Sequence, residues 1–182
     1  LSPDGRLLVT GSWDQSAKLW DAATGAAVRK LDGVHKGYIN SVQFSPDGKQ
    51  VLTASDDRTA RLWDAASRKP TEQTFSGHEG RVRQARFNAD GSKIVTSSND
   101  KTARVWNAET GAEELVLPGH DWAVLSGEFS RDGKRIITGG EDNIAIIWDA
   151  TTGEILLKLA GHTDSVTAVA LSPDGTRALT GS

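Results

Sequence analysis

Short apolar segments alternate with polar turns along the chain, and they lack the spacing of an amphipathic helix. The apolar positions of 39–44 end at a Ser-Pro-Asp-Gly turn, in which proline fixes φ, aspartate bonds nearby backbone and glycine accepts a positive φ. Two further alternating segments follow at 51–55 and 59–63, and a fourth lies near 73–75. The pattern predicts an all-β fold built from short antiparallel strands.

This group of four segments recurs along the chain. Trp-Asp or Trp-Asn pairs begin at residues 20, 63, 106 and 148, at intervals of 43, 43 and 42 residues. The Asp-Gly turn and a Gly-His pair, written Gly-Val-His in its first copy, return on the same interval. A unit of about 40–45 residues with these landmarks is typical of a four-stranded propeller blade. The sequence therefore predicts a β-propeller of four-stranded antiparallel blades, with about four blades present.

The two ends of the chain carry the same part of the repeat. Residues 1–12 align with residues 171–182, so the array begins and stops inside a blade. The chain contains no methionine, and we expect it to be a segment of a longer propeller. The predicted units are a partial blade at 1–31, complete blades at 32–74, 75–116 and 117–158, and a partial blade at 159–182.

These coordinated motifs resemble the WD-repeat family of β-propellers over essentially the whole chain. The resemblance implies a W-shaped sheet in each blade, with the first strand lining a central channel and the fourth strand at the rim. It also implies that partners bind at the channel mouth and the loops around it, and that a complete ring has more blades than this chain supplies. The cysteine-free composition, rich in alanine, arginine and glycine, is compatible with a bacterial member of the family.

Each complete unit places His, Thr, Asp and Trp at the same offsets. A hydroxyl, an imidazole and a carboxylate can together activate a nucleophile, so a hydrolase is one interpretation. Repetition argues against it, because an enzyme needs one such set whereas a structural network is needed in every blade. The resemblance implies a structural tetrad in which Asp orients His, His bonds the hydroxyl, and the hydroxyl bonds the indole N–H. The three sets are His35, Thr53, Asp57 and Trp63; His78, Thr96, Asp100 and Trp106; and His120, Thr138, Asp142 and Trp148.

The sequence offers no metal or cofactor site. The histidines are 43, 42 and 42 residues apart, which matches no compact ligand motif, and there is no cysteine. Glycines fall singly at turns and form no phosphate-binding loop. We therefore expect no metal and no cofactor.

Charge and hydropathy narrow the choice of partner. The net charge of −3 argues against a general nucleic-acid surface, and no apolar stretch approaches the length of a membrane span. A cytoplasmic protein without nucleic-acid or membrane partners is expected. Residues 58–106 carry ten Lys/Arg against five Asp/Glu, and residues 107–154 carry three against ten. This contrast is either ordinary solvated charge or a bipolar face that orients a partner.

Positions that break the repeat mark the candidate binding site. Trp13 occupies a turn position that holds Asp, Asn or Glu in other units, and Trp122 stands where other units have Gly or Asp. Such rings either cover a neighbouring loop or anchor a contact. With residues expected near the channel mouth, the predicted partner site consists of Trp13, Tyr38, Arg81, Arg83, Asn99, Trp122 and Glu141. Glycines at 127 and 140 replace larger residues, so looser packing is expected in the third complete blade.

The leading hypothesis is a non-catalytic scaffold whose surface binds a protein or peptide. One alternative is a regulatory or sensor module of a larger multidomain enzyme. Another is a self-assembling segment, in which copies associate through open strand edges and complete a ring as an oligomer.

Overall fold

The structure is a computed structural model that describes residues 1–67 and 70–182. All regular secondary structure within those residues is β-strand. The described part therefore confirms the all-β prediction. It contains no helix with the length and apolar character that a membrane crossing requires.

The strands form antiparallel sheets in which neighbours along the chain are neighbours in space. The first sheet holds β1 (Leu7–Gly11), β2 (Ala17–Asp21) and β3 (Ala27–Leu31). The second holds β4 (Ile39–Phe44), β5 (Gln50–Ser55), β6 (Thr59–Asp64) and β7 (Pro70–Ser76). The third holds β8 (Val82–Phe87), β9 (Lys93–Ser98), β10 (Thr102–Asn107) and β11 (Glu113–Pro118). The fourth holds β12 (Val124–Phe129), β13 (Arg135–Gly140), β14 (Ile144–Asp149) and β15 (Ile155–Ala160), and the last holds β16 (Ala168–Leu171) and β17 (Ala178–Gly181).

The turn between β4 and β5 shows how the sequence sets the strand ends. The Ser45 hydroxyl donates to Asp47 Oδ1 at 2.6 Å, and the Gly48 amide donates to the Ser45 carbonyl at 2.9 Å. Gly48 has φ of 72°, a conformation that costs a glycine little. The Gln50 amide then donates to the Ser45 hydroxyl at 3.0 Å. Local hydrogen bonds thus reverse the chain and start the next strand.

The cores lie between adjacent sheets. Leu52 and Leu62 of the second sheet pack in one cluster with Val82, Phe87 and Trp106 of the third. Each sheet therefore buries its apolar faces mainly against its neighbours, as in other repeat arrays. The second strands of the three complete sheets, β5, β9 and β13, are buried on both faces.

The first strands of successive sheets lie side by side. β4 packs against β8, β8 against β12, and β12 against β16. The amide oxygen of Gln43 accepts a hydrogen bond from the Phe87 amide at 3.0 Å, and that of Gln84 accepts from the Gly127 amide at 2.9 Å. The sheets are not closed into a ring, and the architecture is an incomplete β-propeller.

The two outermost sheets leave apolar faces uncovered. Leu179 is 72% exposed, whereas the equivalent Leu52 and Ile137 are fully buried. Leu8 is 41% exposed, whereas the equivalent Val51 is fully buried. These side chains would be buried if another sheet lay against them.

The looser packing expected at the two glycines is wrong. A Cβ on Gly127 would lie 2.9 Å from Ser97 Oγ, and a Cβ on Gly140 would lie 2.5 Å from His120 Nδ1. Neighbouring side chains fill the space that a larger residue takes elsewhere. The predicted blade limits stay a prediction, and residues 68–69 of the 32–74 unit lie outside the described residues.

Candidate functional site

The first complete tetrad forms a continuous line of hydrogen bonds. His35 Nδ1 lies 2.7 Å from Asp57 Oδ2, and His35 Nε2 lies 2.7 Å from Thr53 Oγ1. The Trp63 indole N–H donates to the same threonine oxygen at 2.9 Å. With Nδ1 donating to the carboxylate, a neutral His35 accepts the threonine proton at Nε2, so every donor has an acceptor.

The same line recurs in the next two sheets. Trp106 donates to Thr96 at 2.8 Å and Trp148 donates to Thr138 at 2.8 Å. His78 Nε2 lies 2.7 Å from Thr96 Oγ1, and His120 Nε2 lies 2.8 Å from Thr138 Oγ1. The threonines are fully buried. A hydroxyl that solvent cannot reach braces the sheet, and a substrate has no access to it.

The partial sheets hold half-tetrads. Trp20 donates to Thr10 at 2.8 Å, and His162 Nε2 lies 2.7 Å from Thr180 Oγ1. Trp20 is partly exposed, unlike its three buried counterparts. The bracing is therefore least protected at the two ends of the array.

The tetrad aspartates are held as carboxylates in two of the sheets. Burial by itself raises the pKa of Asp57, but hydrogen bonds from His35 and Thr59 outweigh burial and hold that pKa well below 3.8. Burial also raises the pKa of Asp100, and hydrogen bonds from His78 and Thr102 again outweigh burial and lower that pKa below 3.8. In the fourth sheet, burial lowers the pKa of His120 below 6.5, and the hydrogen bond that His120 donates to Asp142 only partly offsets it.

The tetrads position one edge of each sheet, which we call the top face. It consists of the turns at 13–15, 56–58, 99–101 and 141–143, the loops at 36–38, 79–81, 121–123 and 163–165, and the first two residues of the strands that follow these loops. The third residue of each turn has a positive φ of 67–72° although none is glycine. Backbone hydrogen bonds tie turn to loop within a sheet, as when the Asn99 amide donates to the Arg81 carbonyl at 2.9 Å.

Two predicted site residues meet where the first and second sheets join. The rings of Trp13 and Tyr38 stack with centroids 5.5 Å apart and planes 18° apart. Trp13 remains 73% exposed and Tyr38 46% exposed. The pair forms a flat aromatic surface open to solvent.

Polar residues occupy the junction of the second and third sheets. Arg81 lies 3.4 Å from Asp56, whose other carboxylate oxygen accepts from the Asn40 amide at 2.8 Å. Arg83 Nε donates to Asn99 Oδ1 at 2.7 Å. Arg81 is exposed, and Arg83 is half-buried.

A second exposed tryptophan lies where the third and fourth sheets join. Trp122 is 62% exposed, and Lys101 Nζ lies 5.7 Å from its ring centroid. Glu141 is exposed and its carboxylate has no hydrogen-bond or ion-pair partner among the described residues. The predicted residues thus spread over successive junctions of one face and do not converge on one pocket.

Charge divides this face. Exposed charges on the second and third sheets are four cations, Lys36, Arg58, Arg81 and Lys101, and one carboxylate, Glu79; exposed carboxylates on the last two sheets are Asp121, Glu141 and Asp164. An orienting function for this contrast stays a prediction. Throughout the described ranges, no group of three or more His, Cys, Asp or Glu is arranged to hold a metal ion.

Comparison with known proteins gives the family. The family model described as WD domain, G-beta repeat matches residues 1–21, 26–64, 69–107, 111–149 and 153–182. The chain belongs to the WD40-repeat family. A search of curated proteins finds no match.

The WD40 repeats are offset from the sheets. The matched segment 26–64 contains β3 of the first sheet and β4, β5 and β6 of the second. Each of the three central repeats, 26–64, 69–107 and 111–149, therefore links two sheets covalently, and its tryptophan lies at the end of the third strand of a sheet. Proteins with WD40 repeats typically act as non-catalytic scaffolds that bind other proteins.

Three contributors lie outside the predicted partner site: Asn40, a residue expected near the channel mouth, Asp56 and Lys101. Asn40 and Asp56 fix Arg81 by a chain of contacts, and Lys101 covers part of Trp122. Position within the turns gave a signal for the last two, since Asp56 is equivalent to Trp13 and Lys101 follows Asp100. Their contacts across sheets could not be predicted from one repeat.

Proposed function

We propose that this chain is a non-catalytic binding platform whose top face holds a protein or peptide partner. The proposed contact residues are Trp13, Tyr38, Arg81, Arg83, Asn99, Trp122 and Glu141. The family supports the general function, and the chemistry of this one face supports the assignment of the surface.

The exposed tryptophans carry the proposal. Trp13 and Trp122 are 73% and 62% exposed, whereas Trp63, Trp106 and Trp148 brace sheets and are buried. Tryptophan is enriched among residues that dominate binding energy at protein interfaces. Neither exposed ring contributes to a tetrad, so neither is needed for the bracing.

The mechanism is presentation by a rigid frame. Tetrad aspartates bond the loop backbone directly: Asp57 Oδ2 accepts from the Lys36 amide at 3.1 Å, and Asp142 Oδ2 accepts from the Asp121 amide at 2.9 Å. Loops fixed in this way lose little conformational entropy when a partner binds. The tetrads therefore support binding without contacting the partner.

A random-peptide display selection on the immobilised chain tests this function. We expect selected peptides to bind with an affinity that falls about tenfold or more for Trp122→Ala, because truncation removes a central aromatic contact. Leu156→Ala, which truncates an exposed apolar residue on the rim strand β15, is the matched control and should bind normally. Circular dichroism and thermal melting must show both variants folded.

If folded Trp122→Ala and Tyr38→Ala both bind every selected peptide as well as the unaltered chain does, the top face is not the binding surface.

A second candidate function is self-association, which the uncovered end sheets favour. Leu179 and Leu8 expose apolar surface that equivalent residues bury between sheets, and β1 and β17 present open strand edges that are paired in the complete sheets. Sedimentation of the 182-residue chain should then give a concentration-dependent mass that Leu179→Asp returns to the monomer value. A monomer at all concentrations would exclude this function for the chain.

A further inference from the structure

Arg83 differs from the residues at the same position in the neighbouring sheets, where the first strand leaves the top face. The second residue of the first strand is Asn40 in the second sheet, Arg83 in the third and Leu125 in the fourth. The Asn40 amide already donates to Asp56 and to the Val82 carbonyl, at 2.8 and 3.0 Å. Leu125 has no side-chain polar atom. Among these three described residues, only Arg83 has side-chain hydrogen-bond donors that are still available.

The Arg83 guanidinium is oriented but not saturated. Its Nε donates to Asn99 Oδ1, which fixes the plane of the group. Its terminal nitrogens make no hydrogen bond or ion pair with any described residue. A guanidinium held at Nε presents its two terminal N–H groups in the fork geometry that matches a carboxylate.

The aspartates of the two adjoining turns are already used. Asp56 pairs with Arg81 and accepts from Asn40, and Asp100 accepts from His78 and Thr102. No described carboxylate, including that of the exposed Glu79 in the adjoining loop, pairs with Arg83, so its terminal N–H groups are open to a carboxylate from a partner. Lys101, in the same turn as Asn99, adds a second positive charge beside it.

An apolar contact adjoins this donor pair. Lys101 Nζ lies over the Trp122 ring, so Arg83 and Trp122 flank the single turn that carries Asn99 and Lys101. Beyond Trp122 the exposed charges are carboxylates, at Asp121, Glu141 and Asp164. The top-face charges are thus mostly positive before Trp122, where Glu79 is the exception, and negative after it, which disfavours an acidic residue on the far side of Trp122.

We infer that the peptide bound at the top face carries a glutamate or aspartate side chain that pairs with Arg83, next to an apolar or aromatic residue that packs on Trp122. This inference rests on the proposed function and names the chemistry of its partner. Arg83 and Asn99 supply recognition of the carboxylate, and Trp122 supplies apolar contact.

The test uses the peptides from the display selection, synthesised with amidated C-termini. We expect an acidic residue to recur beside an apolar one. Replacing that Glu by Gln in the peptide should weaken binding about tenfold or more, because a charge-assisted hydrogen bond is lost. Arg83→Met should weaken binding of the Glu peptide by a similar factor. Arg131→Met, which removes an exposed arginine from the turn at the opposite edge, is the control.

A double-mutant cycle decides the pairing. With Arg83→Met, the Glu and Gln peptides should bind equally, because the carboxylate has lost its partner. Unequal binding, with the Glu peptide still favoured tenfold, would overturn the inference. If Arg83→Met does not fold, equal binding of Glu and Gln peptides to the unaltered chain would overturn it as well.

The proposed function and this inference fail separately. Selected peptides that depend on Trp122 but contain no acidic residue would refute the carboxylate contact and leave the binding face intact. Peptides that bind only with a free C-terminus would place the carboxylate at the chain end, which also contradicts the inference. Peptides that ignore Trp122 altogether would refute the face itself.

Discussion

The third and fourth sheets hold the same four tetrad side chains and fix the aspartate differently. In the third sheet, Asp100 divides its oxygens: Oδ2 bonds His78 Nδ1 at 2.7 Å, and Oδ1 accepts from the Thr102 hydroxyl at 2.7 Å. In the fourth sheet, both oxygens of Asp142 lie 2.9 Å from His120 Nδ1. The first carboxylate bridges two side chains, whereas the second faces one.

Two neighbouring positions explain the difference. Ser98 and Thr102 in the third sheet correspond to Gly140 and Ile144 in the fourth. Isoleucine offers no hydroxyl, so the carboxylate turns toward His120, and the space it enters is the space that a Cβ at Gly140 would take, 2.6 Å from Asp142 Oδ1. The comparison teaches that Gly140 and Ile144 act together. Ile144 removes the hydroxyl that would hold the carboxylate, and Gly140 leaves the space into which the carboxylate turns.

The largest expected effect comes from removing the carboxylate charge. Asp100→Asn should lower the free energy of unfolding by about 3 kcal/mol, because an amide cannot accept from His78 and Thr102 at once and leaves buried donors unpaired. Asp142→Asn should lower it by about 1 kcal/mol less, since no side-chain hydroxyl depends on Asp142. Urea unfolding followed by tryptophan fluorescence measures both. An equal or larger loss for Asp142→Asn would show that the hydroxyl does not account for the difference.

A smaller effect is expected from changing the glycine alone. Gly140→Ser should lower the free energy of unfolding by about 1–3 kcal/mol, because its Cβ would collide with His120 Nδ1 and Asp142 Oδ1. Adding Ile144→Thr supplies the missing hydroxyl and should restore part of the loss by recreating the arrangement of the third sheet. The double variant and both single variants form a cycle in thermal melting. Additive losses would show that the two positions are independent.

The smallest effect is a difference in acid sensitivity. Burial lowers the pKa of His120 below its ordinary 6.5, so the unfolded chain takes up this proton first, and stability is lost as pH falls below 6.5. The lowered pKa values of Asp57 and Asp100 contribute stability that is present above 3.8 and lost below it. Hydrogen-exchange protection factors in β13 should therefore fall between pH 7 and about 5, before those in β9. Simultaneous loss in both strands would contradict this order.

Much of this fold and of its bracing could be predicted because the relevant information is local and repeated. Alternation, turn chemistry and the period marked the strands, and the structure brings His78, Thr96, Asp100 and Trp106 together in one hydrogen-bonded line. The packing at Gly140 could not be predicted, because the sequence shows that a side chain is missing there but not which neighbouring side chain occupies the space. Whether a neighbour fills that space depends on side-chain rotamers set by Ile144 and His120.

The sequence by itself determined the strand class, the repeat and the members of each tetrad, since hydrogen bonds within a turn and alternation along a strand depend on residues close in the chain. Tertiary structure decided which top-face groups are satisfied. Arg81 has an acceptor in Asp56 from the preceding sheet, Trp13 stacks on Tyr38 from the next, and Arg83 keeps donors unused. Those pairings join different repeats, and their geometry exists only after the sheets have packed against one another.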